Sequence, residues 1–275
     1  MARLAHTSCA LLLTAPLCAC TVVGSLDEFQ AGPAVNANCV RPAAGDYSAD
    51  ANGVMDLIVH FDSGTGGAGG NGSVGGSGGG APPANWEVHQ DIDPQITTRI
   101  AHTPGCCWDF HIAYNADRND VVSYCREPDG RVVRKGNTQH QEWDLPVVGR
   151  QPNDSDISCE SGDVYRPGMT TDDPAWTHLC AGTISRNPNG NYFHNTEWKY
   201  VGADTLQIGG EDVEAYRFEE DTTYQGTSNG KQTATHWYTV TDLRWVKSDT
   251  VVDISSPSVL GDVDFDEDSH WTATR

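Results

Sequence analysis

A period of two is the feature that most constrains this chain. From Asn191 the sequence reads NYFHNTEWKY, placing Tyr192, His194, Thr196, Trp198 and Tyr200 on one face and Phe193, Asn195, Glu197, Lys199 and Val201 on the other. A helix would repeat its apolar positions every 3.6 residues, so this alternation predicts a strand with one buried face. Gly209-Gly210 between TLQI and EDVEAYRF predicts a two-residue hairpin connection. Ser228-Asn229-Gly230 predicts another reversal, because Asn and Gly tolerate positive φ. Further strands are expected over Thr233–Thr241 and Leu243–Ile254. The stretch to Asp253 is therefore an antiparallel meander.

The same period recurs upstream. Met55, Leu57, Val59 and Phe61 form one stripe, Trp86, Val88 and Ile92 another, and Trp108, Phe110, Ile112 and Tyr114 a third. Near the end, Val263 and Phe265 oppose Asp262, Asp264, Asp266 and Asp268. Asn115–Asp120 is expected to turn the chain, and the polar segment Gln151–Asp173 to run as a long surface connection. The expected fold is mainly β: an antiparallel meander forming a curved sheet or open barrel in a single domain, residues 39–275. The glycine-rich stretch 64–83 cannot pack a core and is expected as a flexible loop inserted within that sheet. The segment before it holds too few strands to stand alone.

The beginning of the chain has a different character. Residues 1–20, MARLAHTSCALLLTAPLCAC, have a basic start at Arg3 and an apolar run too short to span a bilayer. This is the expectation of a signal peptide, and residues 21–38 are expected to be a tether. Leu17-Cys18-Ala19-Cys20 resembles a bacterial lipobox, which implies a lipid on Cys20 and an anchor in a membrane surface. Six later cysteines remain: Cys39, Cys106, Cys107, Cys125, Cys159 and Cys180. In an exported chain an even set points to disulfides rather than a metal site. The hairpin expected around residues 108–125 brings Cys125 near Cys106 or Cys107. Cys159 and Cys180 bracket the polar connection, which leaves Cys39 for the other member of the vicinal pair.

The formal net charge of −21 repels phosphate backbones and argues against nucleic acid as a partner. Motifs with catalytic or metal chemistry fail on context. Gly75-Gly76-Ser77-Gly78-Gly79 matches a nucleophile elbow but lies in the glycine tract, without the flanking strand and helix that motif needs. The acidic run from Asp262 has Glu267 and Ala273 where a calcium loop has Gly and Glu. The histidines show no metal-ligand spacing. No catalytic residue, metal ligand or cofactor is assigned.

The C-terminal half resembles a group of uncharacterised exported proteins of high-GC bacteria. The resembling residues are Tyr200-Val201-Gly202, Thr205-Leu206, Ile208-Gly209-Gly210-Glu211, Val213-Glu214-Ala215-Tyr216, Trp237 and Leu243-Arg244-Trp245-Val246. Cys107-Trp108 and the Cys159–Cys180 segment belong to it as well. That group has no assigned activity, so the resemblance implies export and a β domain and carries no functional residue. The leading expectation is a membrane-anchored extracytoplasmic lipoprotein that binds an apolar small molecule or an envelope protein on its concave face. Tyr192, Trp198, Tyr200, Tyr216, Phe218, His236 and Tyr238 are the candidates for that face. The alternatives are a hydrolase with a site assembled from distant residues, and a purely structural envelope protein.

Overall fold

The computed structural model describes residues 39–61, 85–160, 162–185, 187–258 and 261–274, with the backbone alone over 187–191. The expected signal peptide 1–20 with Cys20, the expected tether 21–38 and the expected insertion 64–83 lie outside these residues. The described strands are β1 (Gly45–His60), β2 (Asn85–Asp91), β3 (Gln95–Thr103), β4 (Cys107–Ala113), β5 (Arg118–Arg126), β6 (Val132–Leu145) and β7 (Gly149–Cys159). They continue with β8 (Asp163–Tyr165), β9 (Trp176–Ile184), β10 (Asn187–Ile208), β11 (Glu211–Gly226), β12 (Asn229–Thr239), β13 (Trp245–Ser258) and β14 (Gly261–Ala273).

The expected antiparallel meander is present, and it closes on itself. Its order runs β1-β3-β4-β5-β6-β7-β9-β10-β11-β12-β13-β14, and β14 pairs back onto β1 from Ala49↔Ala273 to His60↔Asp262. The result is a barrel of twelve strands with no free edge on the main path. The other edge of β1 is shared, with β3 along Gly45–Asp50 and β2 along Val54–His60. Gly53 sits at that switch, where an added Cβ would stand 2.3 Å from the Asp268 carbonyl oxygen. The two-residue hairpin forms as expected, with Gly209 (φ 62°) and Gly210 (φ 83°) both left-handed, the requirement of a type I′ turn.

Side chains at inward parity fill the barrel. At the end where β4, β6 and β13 begin, Trp108, Phe110, Trp198, Phe218, Tyr238 and Trp271 are buried. Their rings pack edge-on or offset, for example Trp198–Phe218 at 5.6 Å and Trp245–Trp271 at 5.1 Å. Aromatic pairs of this kind add about 0.5–1.5 kcal/mol each beyond area burial. The outward positions carry charge instead: Glu197 and Lys199 on β10, Glu219 and Asp221 on β11, and Asp262, Asp266 and Asp268 on β14 are exposed. A barrel that crosses a bilayer needs an apolar band on that face, and these strands present the reverse.

The disulfides of Cys106 and Cys107 fasten the aromatic end, and the third packs with Ile157, Tyr192 and Tyr224. Cys107 and Cys125 are register partners on β4 and β5, with Cα atoms 4.0 Å apart, so Cys106 goes to Cys39. Cys159 and Cys180 are likewise register partners, on β7 and β9.

Two expectations are corrected. Gln151–Asp173 is not one long connection: β7 runs to Cys159, and β8 pairs with β6. Its inner face is polar, with Asn153 and Ser155, so no apolar stripe announces the strand. Pro152 stands opposite Glu142 on β6, and Asp154 beyond it exchanges hydrogen bonds with Ser185. Asn115–Asp120 is not all turn either, since β5 already begins at Arg118 and Asp120 points inward.

Candidate functional site

Between the aromatic end and the opposite end lies a polar layer, assembled from single inward positions on many strands. Two acid–base groups organise it. On β5, Arg118 donates through Nη1 to Glu267 Oε2 of β14 at 2.6 Å, and its Nη2 lies 3.5 Å from Asp120 Oδ2. Burial would drive the proton off Arg118, but Glu267 and Asp120 outweigh it and hold the guanidinium charged. Burial likewise pushes Asp120 upward, against the pull of Arg118.

The second group centres on Glu220 of β11. Thr222 Oγ1 donates to it at 2.8 Å, Gln232 Nε2 at 3.1 Å, and His236 Nε2 lies 3.0 Å away. Burial acts to raise Glu220, yet the His236 hydrogen bond and charge, Arg134 and Thr222 more than offset it and hold it down to about 2. An ionised carboxylate only accepts, so His236 Nε2 carries the proton. His236 Nδ1 meets Ser248 Oγ at 2.9 Å.

Ser248, His236 and Glu220 thus stand in the order of a nucleophile, a base and an acid. They are direct or diagonal neighbours on β13, β12 and β11, because His236 pairs with Ser248 and Phe218. Ser248 is 2% exposed, however, and borders neither of the interior cavities described below. A reacting carbonyl must come within about 3–3.5 Å of the attacking oxygen, and here the hydroxyl is shielded. What the arrangement does chemically is fix Glu220 and hold it ionised.

Around these groups the barrel is not solid. One cavity of about 80 Å³ lies under the aromatic rings of Trp198, Tyr238 and Trp245. A second of about 80 Å³ reaches Gln139, Tyr192, His194 and Tyr224. Both are bordered by Arg118, Asp120, Arg134, Asn137, Glu220 and Glu267. Beyond the second, toward the end with the β6–β7 and β11–β12 turns, is a vestibule of about 130 Å³. Leu57, Trp143, Ile184, Ile254, Val263 and Phe265 give it an apolar lining. Gln139, Tyr192, Ile254 and Phe265 border both the vestibule and the cavity beneath it.

Several polar atoms in this layer are buried without a hydrogen-bond partner: Arg134 Nε, Asp120 Oδ1, Asn137 Oδ1, His194 Nε2 and both ring nitrogens of His178. Burial holds His178 down to about 4. Burial, reinforced by the Arg134 charge, holds His194 down to about 3. Among the described residues no group of His, Cys, Asp and Glu has the geometry of a metal site.

All seven residues expected on the concave face point into the barrel or its rim, in different settings. Trp198, Phe218, His236 and Tyr238 come together as packed core, with Trp198–His236 ring centroids at 5.3 Å and Phe218–Tyr238 at 5.9 Å. Trp198, His236 and Tyr238 also border the upper cavity. Tyr192 stands apart on the same wall, stacked on Tyr224 and facing the vestibule. Tyr200 and Tyr216 sit half-buried at the disulfide end beside Tyr165, away from the cavities. Sequence reasoning missed Arg118, Asp120, Arg134, Asn137, Glu220 and Glu267. The available signal was a charge at inward parity inside an apolar stripe, as Glu220 is between Phe218 and Tyr224.

No protein-family model, curated protein or solved structure matches the chain.

Proposed function

We propose that this chain is a non-catalytic extracytoplasmic binding protein, tethered to a membrane surface by a lipid on Cys20, that takes a small molecule with an apolar body into its barrel. The observation that carries the reading is the vestibule between Trp143 and Phe265, apolar on its walls and continuous through Gln139 and Tyr192 with a polar cavity. Its volume of about 130 Å³ suits a ring or a short chain. An engineered dry cavity of about 150 Å³ in another protein accepts benzene. Apolar walls with a few convergent polar groups are the common make-up of small-molecule sites. Three disulfides in a cysteine set of this kind fit an oxidising compartment outside the cytoplasm. The shielded hydroxyl of Ser248 weighs against the hydrolase reading.

The test uses fluorobenzene followed by its fluorine resonance. Wild type is expected to shift and broaden the signal, and Val263→Trp, which fills the vestibule, to abolish the effect while unfolding at a similar temperature. A wild type that leaves the resonance unchanged overturns the binding reading. For the anchor, a fatty-acid probe should label wild type and not Cys20→Ala, and equal labelling of both removes the lipid from the proposal.

A further inference from the structure

Arg134 is the interior cation that no described carboxylate neutralises by contact. Its buried Nε–H has no acceptor, and its side chain borders both cavities of the polar layer. The carboxylates nearby are already committed. Glu267 takes Arg118 Nη1 at 2.6 Å and the Ser269 hydroxyl at 2.6 Å. Glu220 takes Thr222, Gln232 and His236. A guanidinium withdrawn from water without a direct partner is costly, and its planar fork matches a carboxylate bidentately.

The setting fits a carboxylate that arrives from outside. His194, 7% exposed, has an unpartnered Nε2 and borders the lower cavity beside Arg134. Asn137, whose amide can be turned to present its donor, faces the same space. Gln139, two residues further along β6, is shared with the vestibule, so head and body of one molecule meet a polar floor and an apolar wall in sequence. Asp120 is turned toward Arg118, with Oδ2 3.5 Å from its Nη2.

We infer that the barrel interior binds a small monocarboxylate, its head on Arg134 and its apolar body in the Trp143–Phe265 vestibule. This rests on the binding function proposed above and specifies the ligand class. The other interior carboxylates make the competing class, an amphipathic amine, the sharpest alternative outcome.

The experiment is isothermal titration of the full folded protein with octanoate, octanamide and octylamine. Wild type is expected to bind octanoate at least about tenfold more tightly than octanamide, the range of a charge-assisted bond. Arg134→Gln should remove that preference and leave octanamide affinity within about threefold, and Arg134→Lys should restore part of it. Equal binding of acid and amide by wild type overturns the inference, as does tightest binding of the amine or an unchanged preference in Arg134→Gln. If Arg134→Gln fails to fold, the wild-type panel decides alone. Failure of all three chains while fluorobenzene still binds sinks the carboxylate and leaves the vestibule standing. Failure of fluorobenzene as well removes both.

Discussion

His178 and His194 are bases stored in their neutral form, and this has a cost that depends on pH. They face Arg134 from β6, Glu220 from β11 and, for His178, Asp163 from β8. Burial holds them to about 4 and about 3, below the ordinary 6.5 of an unfolded histidine. As pH falls past 6.5 the unfolded chain takes up two protons that the folded chain refuses until about 4 and 3. The folded state binds fewer protons, so stability is fully present above pH 6.5 and is lost through the window down to pH 3, each histidine contributing on the order of a few kcal/mol. Glu220, held to about 2, adds a loss of the same sign below its ordinary 4.5. His60 and His89, raised by the hydrogen bonds they donate to Asp264 and Asp56, act in the opposite sense but stand in solvent, where such pairs contribute little. The urea midpoint is therefore expected to fall steeply between pH 6.5 and 4. The double variant His178→Gln/His194→Gln should flatten that slope whatever it does to absolute stability. A wild-type midpoint constant over this range contradicts the neutral assignment.

At the scale of the element, what was legible depended on whether apolar residues marked the inner face. Tyr192 to Tyr200 and Trp108 to Tyr114 could be read because large apolar side chains alternate with polar ones. The inner face of β7 offers Asn153 and Ser155, and that of β5 begins with Arg118 and Asp120, so both strands look like loop until closure supplies their partners. Arg134 is hidden for another reason. The register between β5 and β6 slips at Ser123/Tyr124, with Lys135 as the extra residue, so Arg134 and Asn137 both face inward although three apart. No periodicity crosses a bulge intact, and Arg134 and Asn137 stand on either side of this one. The disulfides were legible to within one choice, settled by the register of β4 against β5. Cys159–Cys180 joins β7, the least apolar strand, to β9 across a sequence separation of 21. Chain entropy assigns such a bridge about 3 kcal/mol. Cys159→Ala/Cys180→Ala should lower unfolding free energy by that order, and the loss should open β7 first, seen as amide exchange at Ile157 and Ser158 rising ahead of β11. Exchange that rises uniformly would mean β7 is held as firmly as its neighbours without the bridge.

At the scale of the molecule, everything rests on β1, which closes the barrel. It pairs with β14 along one edge and with β3 and β2 along the other. It also places Ala49, Met55, Leu57 and Val59, all 5% exposed or less, in the core. A fully buried residue of the larger kind contributes about 1.5–3 kcal/mol, and a domain has only about 5–15 kcal/mol to lose. Removing residues 39–61, with Cys106→Ala to avoid a lone thiol, should therefore abolish cooperative unfolding and expose β3 and β14 as free edges, which promotes aggregation. The segment that follows should behave in the opposite way. His60 and Asn85 are register partners, so the chain leaves β1 and enters β2 at neighbouring points. A hairpin of about four residues can join such points, and loop entropy changes by only about 0.6 kcal/mol per doubling of length. Replacing residues 62–84 by four turn residues should move the melting temperature by no more than a few degrees and leave a single transition. The two variants together separate insertion from linker. If residues 85–275 fold alone with the melting temperature of the whole chain, β1 is dispensable and the domain begins after the glycine tract. If only the loop replacement survives, the domain begins at Cys39 and the tract is an insertion between two paired strands.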